Sequence, residues 1–373
     1  MKKIAFVAAN ESCRWGGSEL CWSLVAENLV RRGTTVTASV KDWNSPVTQV
    51  EKLRSAGCRI FLRRESSLAL RAARRMFKFY DFNTNHLRRF ALDADLVVIS
   101  QGGHIDGLLW MEACRKLGMQ YAVIAQAASE HWWPEDGVAE RLATGYEHAV
   151  AAYFVSHSNL ALSRIQFATG LKRAKVIRNP FNVSYDASPE WPSDAESPLQ
   201  LGCVARLEIP AKGQDLLLAV LALPHWRERP VRLSLAGSGV NERGLHSVAE
   251  TLKLSNVKFE GFVEDIEKFW SLHQLLVLPS RIEGLPLALV EAMLCNRTAV
   301  VTDVAGNGEL IVDGLNGFIA RAPTVEFLDE AMNRAWNART GLQEMGSAAG
   351  KTARELIPRD PVQIFADELQ SVL

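Results

Sequence analysis

The chain has 373 residues and balances 42 basic against 42 acidic side chains, so it is long enough for two domains with separate cores, and its even charge excludes a general pull toward nucleic acid. No apolar window approaches the length that crosses a bilayer, and Met1-Lys2-Lys3 followed by Ile4–Ala9 is too short for a secretory leader and reads as a first buried strand, which gives the expectation of a cytoplasmic protein. Six cysteines (Cys13, Cys21, Cys58, Cys114, Cys203, Cys295) show no C-x-x-C pairing and no histidine at metal-ligand spacing, so they are expected to be reduced and structural, with no metal site.

After the opening strand, a loop carrying Gly16 and Gly17 leads into a helix with Leu20, Leu24, Val25 and Leu29 on one face, closed by Arg31-Arg32-Gly33. The loop lacks the G-x-G-x-x-G dinucleotide fingerprint, but its paired glycines let backbone approach a ligand closely. Strand-like runs at Thr35–Val40, Arg59–Leu62, Leu96–Ser100, Ala122–Ala125, Ala151–Ser156 and Lys175–Ile177 alternate with helical stretches, the pattern of a parallel sheet with crossover helices. Between two of them, segment 63–89 concentrates Arg63, Arg64, Arg71, Arg74, Arg75, Lys78, Arg88 and Arg89 among Leu68, Met76, Phe77, Phe79 and Tyr80. This composition suits peripheral contact with an anionic membrane surface or a phosphorylated acceptor, and equally a solvated helix face. Gln126, His131 and Trp132 follow the Ala122–Ala125 strand. Trp132 and Trp133 can wall a sugar or plug a hinge, and His131 is a candidate proton handler.

Asn179-Pro180 and the Pro- and Ser-rich stretch 188–198 mark a boundary. The expected division is a first domain over 1–185, a linker over 186–198 and a second domain over 199–358. A final amphipathic helix within 359–373, with Val362, Phe365, Leu369 and Val372 at helical spacing, returns to the first domain. In the second domain the strand Leu199–Ala205 ends at Arg206 and Lys212, two cations able to converge on one polyanion. Strands Leu233–Ala236, Val257–Val263, Leu275–Leu278 and Thr298–Val304 each end in a polar loop containing glycine, and in a parallel sheet these loops gather on one edge. After Leu275–Leu278, Glu283 falls in the strand-to-helix loop and Glu291 in the helix, whose first turn begins near Pro286. Helix amides and the positive dipole end attract an anion there, whereas two carboxylates accept hydrogen bonds from hydroxyls. The combination suits a phosphorylated ligand that also carries hydroxyl groups, and equally an ordinary loop glutamate with a solvated helix glutamate.

Taken together, Gly-Gly in the first loop, Arg206-x5-Lys212-Gly213, Pro279-Ser280-x2-Glu283-Gly284-x-Pro286 with Glu291 eight positions on, and Gly306-x2-Glu309 resemble the retaining GT-B-fold glycosyltransferases with the E-x7-E signature, the family-4-like group. The resemblance covers nearly the full chain and is strongest from Gly202 to Phe318. It implies two Rossmann-like, doubly wound α/β domains facing across a cleft, and metal-independent transfer of a sugar, with retention, from a nucleotide-diphosphate sugar (UDP- or GDP-sugar) to a glycan, lipid-linked or small-molecule acceptor. It further implies Arg206 and Lys212 on the diphosphate, and Gly16 and Gly17 near the distal phosphate. Glu283, Gly284, Leu285 and Leu287 would hold the donor sugar, Glu291 the ribose, and Val263, Asn307 and Glu309 would line the donor pocket. Two positions depart from the family: Gln126 stands where many relatives have histidine, leaving His131 as the substitute candidate, and Asn179-Pro180 replaces Asn-Gly. A nucleotide-sugar epimerase of the same architecture and a catalytically idle nucleotide-binding or scaffold protein are the alternatives.

Overall fold

The computed structural model describes residues 2–11, 15–45, 47–63, 82–192 and 198–373. They form two compact units, Met1–Pro180 with Asp360–Leu373, and Phe181–Arg359.

The first unit is built on a sheet of seven strands: β1 (Lys3–Ala8), β2 (Thr35–Lys41), β3 (Arg59–Arg63), β4 (Leu96–Gly103), β5 (Tyr121–Ala127), β6 (Ala151–Phe154) and β7 (Ala174–Val176). Their order is β3-β2-β1-β4-β5-β6-β7, and every pairing among the described residues is parallel. The strands read as continuous apolar runs because both faces are covered. Along β1 the period of two is plain: Ile4, Phe6 and Ala8 enter one core cluster, Ala5, Val7 and Ala9 the other. The C-terminal helix Pro361–Ser371 joins the first cluster with Phe365, Ala366 and Leu369, alongside Trp22. Asp360 caps it by accepting from the Gln363 amide at 2.8 Å, and proline occupies its first turn, where a missing N–H costs nothing. Tyr153 packs edge-to-face on Phe365 with ring centroids 4.9 Å apart, and Arg32 pairs with Asp367.

The second unit has six strands: β8 (Leu199–Val204), β9 (Val231–Ala236), β10 (Val257–Gly261), β11 (Leu275–Leu278), β12 (Thr298–Thr302) and β13 (Phe318–Ala320), in the order β10-β9-β8-β11-β12-β13, again parallel. The parallel sheet expected from the alternation, in the doubly wound α/β form that the resemblance implies, is present in both units. β13, three residues long, is too short for periodicity to reveal.

Three expectations change. The division falls between Pro180 and Phe181, not after residue 185. Part of the stretch expected as a linker is anchored to the second unit: Arg354 donates to Ala187 O at 3.0 Å and Arg297 to Glu190 O at 2.6 Å. Pro-rich composition signals an extended backbone, which the buried Arg297 and the half-buried Arg354 here hold in place. Arg63, placed in the basic surface segment, is buried at the carboxyl end of β3, where it donates to Ala8 O and, at 2.7 Å, to Ser39 O. Its guanidinium supplies hydrogen-bond donors to backbone carbonyls of the two neighbouring strands. Arg88 and Arg89 are exposed; residues 64–81 of that segment lie outside the described residues.

Cys21, Cys58, Cys114, Cys203 and Cys295 are buried and unpaired, and burial pushes each thiol up to about 12. Cys13 lies outside the described residues. Among the described residues no helix is long and apolar enough to cross a membrane.

Candidate functional site

The loops after β8, β11 and β12 meet at the carboxyl edge of the second unit's sheet. A one-turn helix, Ile209–Lys212, ends at Gly213, whose φ of +65° is left-handed and whose added Cβ would lie 2.0 Å from Pro279 O. Arg281 grips the same segment from the other side. It pairs bidentately with Asp215 at 2.7 and 2.8 Å and donates to Ile209 O at 2.9 Å. The Arg281 and Ile282 amides both donate to Ala211 O, at 2.8 and 3.0 Å. The loops carrying Lys212 and Glu283 are thereby joined into one rigid piece.

Across that joint, Lys212 Nζ lies 2.7 Å from Glu283 Oε1, with 16% and 6% of the two side chains exposed. Ser280 Oγ donates to the same oxygen at 2.7 Å, and Ser280 O in turn accepts from Thr302 Oγ1 at 2.6 Å. Glu283 Oε2 takes no donor among the described residues. A nearly buried carboxylate is tolerable because a cation and a hydroxyl answer it.

Beyond Glu283 the backbone amides of Gly284, Leu285, Leu287 and Ala288 meet no acceptor among the described residues. They lie at the start of the eight-residue helix Leu287–Leu294, the positive end of its dipole. Gly284 and Leu285 are buried and Leu287 half-buried. Gly284 O accepts from Gly306 N at 2.9 Å, which ties in the β12 loop with the buried Asn307 and half-buried Glu309. Val263, also half-buried, follows the end of β10.

Glu291, 3% exposed in that helix, accepts from Asn182 N at 2.9 Å and Asn182 Nδ2 at 2.8 Å, both on Oε1. Burial raises its carboxyl from the ordinary 4.5 to about 7, against the two Asn182 bonds, which pull it down. In that window the folded carboxyl binds a proton that the unfolded one has already lost, so this group's contribution to stability falls as pH rises. The variant Glu291→Gln removes the slope. By urea unfolding, its stability relative to the parent is expected to improve by up to about 1.4 kcal/mol per pH unit between roughly pH 5 and pH 7. A difference that stays constant across the window overturns the assignment.

The structure leaves Arg206 apart from this cluster. Its guanidinium pairs with Glu208 at 2.8 Å with 42% of the side chain exposed, while its carbonyl accepts from Gln214 at 2.7 Å. In the first unit, Gly16 N donates to Glu19 Oε2 at 3.1 Å and the buried Glu19 also accepts from Ser18 and Asn10. The Gly17 amide, at the start of helix Gly17–Arg31, meets no acceptor among the described residues. Gln126 is locked in a reciprocal amide pair with Asn179, at 3.1 and 2.6 Å. His131 is exposed, on a single turn Glu130–Trp132 capped by Ser129, and Trp132 is half-buried near His104, ring centroids 6.3 Å apart.

Sequence reasoning missed His104, fully buried and lowered by burial to about 4, hence neutral. Gly102-Gly103-His104 at the end of β4 was the available signal. It missed Asn182 as well, 109 residues from its partner Glu291, a separation that no local spacing reveals.

Residues 198–338 match the family of glycosyl transferases group 1, and this segment holds Arg206, Lys212, Glu283, Glu291 and Glu309. Among curated proteins, the chain is 30% identical over 157 residues to the putative glycosyltransferase EpsD of Bacillus subtilis, covering 42% of this chain and 41% of that one. It is 28% identical over 230 residues to the D-inositol 3-phosphate glycosyltransferase of Streptomyces griseus, covering 58% and 48%. The matches thus span less than half the length of these relatives. Among solved structures, Anabaena HepE in complex with UDP and glucose aligns over 100% of both chains at a TM-score of 0.77 and 20% identity. Sucrose-phosphate synthase from Thermosynechococcus elongatus aligns over 100% of this chain and 98% of its own at 0.76 and 16%. The chain shares their two-unit α/β fold.

Proposed function

We propose that the protein is a glycosyltransferase that moves a sugar from a nucleotide-diphosphate sugar to an acceptor, with retention at the anomeric carbon and without a metal ion. The observation that carries this reading is the Lys212–Glu283 contact beside four amides that meet no acceptor among the described residues, inside the segment that matches the family. Cation and amides suit a diphosphate; carboxylates suit hydroxyls.

Cleavage of the anomeric bond builds negative charge on the leaving phosphate and positive character on the sugar. Lys212 Nζ and the amides from Gly284 onward are fixed before the reaction, so they stabilise the leaving group without reorganising. Arg206 joins them on the diphosphate. Its exposed pair with Glu208 is worth at most about 1 kcal/mol, so a phosphate displaces Glu208 at little cost. Glu283 Oε2 accepts from a donor-sugar hydroxyl and Glu291 from the ribose, with Val263, Asn307 and Glu309 lining the pocket and Gly16 and Gly17 near the distal phosphate. The departing phosphate takes the acceptor's proton, so the reaction needs no protein base, in keeping with an amide at Gln126. The acceptor is a glycan, a lipid-linked glycan or a small molecule, with Gln126, His131 and Trp132 on its side, and the basic residues of segment 63–89 other than the buried Arg63 are the candidates for peripheral membrane contact. UDP- and GDP-sugars are the candidate donors, the first favoured because HepE was crystallised with UDP and with UDP-glucose.

Thermal-shift measurements with UDP, GDP, ADP and TDP test the reading. One of them is expected to raise the melting temperature by binding only the folded state, and the matching nucleotide sugar to be transferred or hydrolysed with its configuration retained. No shift with any of the four, or an epimeric nucleotide sugar accumulating, overturns it.

A further inference from the structure

Glu291 is half-committed before any ligand arrives. Both Asn182 bonds end on Oε1, whereas Oε2 takes no donor among the described residues. The two donors differ in kind, since one is a backbone amide that cannot turn away and the other a side-chain amide. Acting on a single oxygen, they fix the plane of the carboxylate as well as its place. Asn182 itself lies on a segment secured independently: Ser184 N donates to Glu267 Oε1 at 2.6 Å and Tyr185 OH to Arg354 O at 2.6 Å. The segment therefore stays in place whether or not the Asn182 side chain bonds Glu291. Asn182 is exposed while its partner is buried, so trimming it removes one bond and leaves the core untouched.

We infer that Asn182 is a positioning residue for nucleotide recognition, saturating Oε1 of Glu291 so that Oε2 is presented as the acceptor for a ribose hydroxyl. This rests on the nucleotide-sugar reading above. In the absence of the side-chain donor, the carboxylate keeps one bond, about which it can rotate, and its grip on two vicinal hydroxyls weakens. Phosphate recognition, which Glu291 does not serve, stays as it was. The same two donors favour the ionised carboxylate over the neutral acid, and only the ionised form offers acceptors alone.

Calorimetric titration of the full chain with UDP and GDP, each against its 2′,3′-dideoxy form, tests the inference. The parent is expected to prefer the ribose form of whichever nucleotide binds by roughly tenfold or more, the worth of a hydrogen bond to a charged group. In Asn182→Ala that preference is expected to shrink to within about threefold, with dideoxy binding at parent strength as proof of an intact site. Asn182→Asp, which sets a second carboxylate against Glu291, is expected to lose the preference at least as fully. A preference that survives in both variants overturns the inference. So does an equal loss of ribose and dideoxy binding, which would mark Asn182 as merely structural. If the parent binds nucleotide but does not distinguish the sugars, the ribose role of Glu291 falls and takes the inference with it. If no nucleotide binds at all, the failure belongs to the proposed function.

Discussion

Replacing either Glu283 or Lys212 by alanine is expected to lower turnover at least about a hundredfold, the usual cost of losing one transition-state contact. The two side chains share one interaction, a 2.7 Å ion pair on Glu283 Oε1. On the proposed reading, removing Lys212 takes a cation from the leaving phosphate, and it leaves Glu283 with Ser280 alone. On the same reading, removing Glu283 takes an acceptor from the sugar, and it leaves Lys212 free to shift. Each single change therefore damages its partner, and the double variant is expected to lose far less than the product of the two singles. Steady-state kinetics on the three variants, with the donor found by thermal shift, check this. Parent-like turnover in both singles, or full multiplicativity in the double, would sink the assignment of these residues as a unit.

The variant Gly213→Ala is expected to destabilise the second unit by roughly 2–5 kcal/mol, from the penalty for a left-handed residue with a side chain plus that of overpacking. A methyl group has nowhere to go, with Pro279 O 2.0 Å from its ideal position. Relief requires the Ile209–Lys212 turn and the Ser280–Glu283 loop to part, which pulls on the Ala211 O and Asp215–Arg281 bonds that align Lys212 with Glu283. Stability and turnover are thus expected to fall together, unlike in the Glu283 variant. Chemical denaturation and kinetics on the same preparation measure both. An alanine tolerated within about 0.5 kcal/mol, the range of ordinary surface substitutions, would show that the two loops are less tightly joined than the structure implies.

The fold was legible in the sequence where the signal is local. Apolar runs at Ile4–Ala9, Leu96–Ser100 and Leu275–Leu278 became central strands, and the helix stop at Arg31-Arg32-Gly33 fell where expected. β13 was too short to show, and Ala187 and Glu190 looked like linker because only distant arginines hold them. The site was legible as a set of strand-end loops and not as a set of contacts. Lys212 and Glu283 do meet, 71 residues apart, yet nothing in their spacing distinguishes that pairing from the Arg206–Glu208 pair two residues apart in the same unit. Gln126 stood out by position, but its engagement with Asn179 depends on where β5 ends relative to the chain leaving β7. Arg63 shows the opposite error: a run of basic residues suggests a wet surface, and the end of a parallel sheet needs donors more than it needs solvent.

The return of helix Pro361–Ser371 to the first unit has a consequence for synthesis. Phe365, Ala366 and Leu369 complete the apolar layer over Ile4, Phe6 and Trp22, but a ribosome delivers them only after all of Phe181–Arg359. A nascent chain can close its later unit, an uninterrupted stretch, while the earlier one waits with part of its interior uncovered. A fragment cut after Pro180 would remain in that unfinished condition, whereas the apolar cluster from Leu199 to Leu342 lies wholly within 181–359 among the described residues.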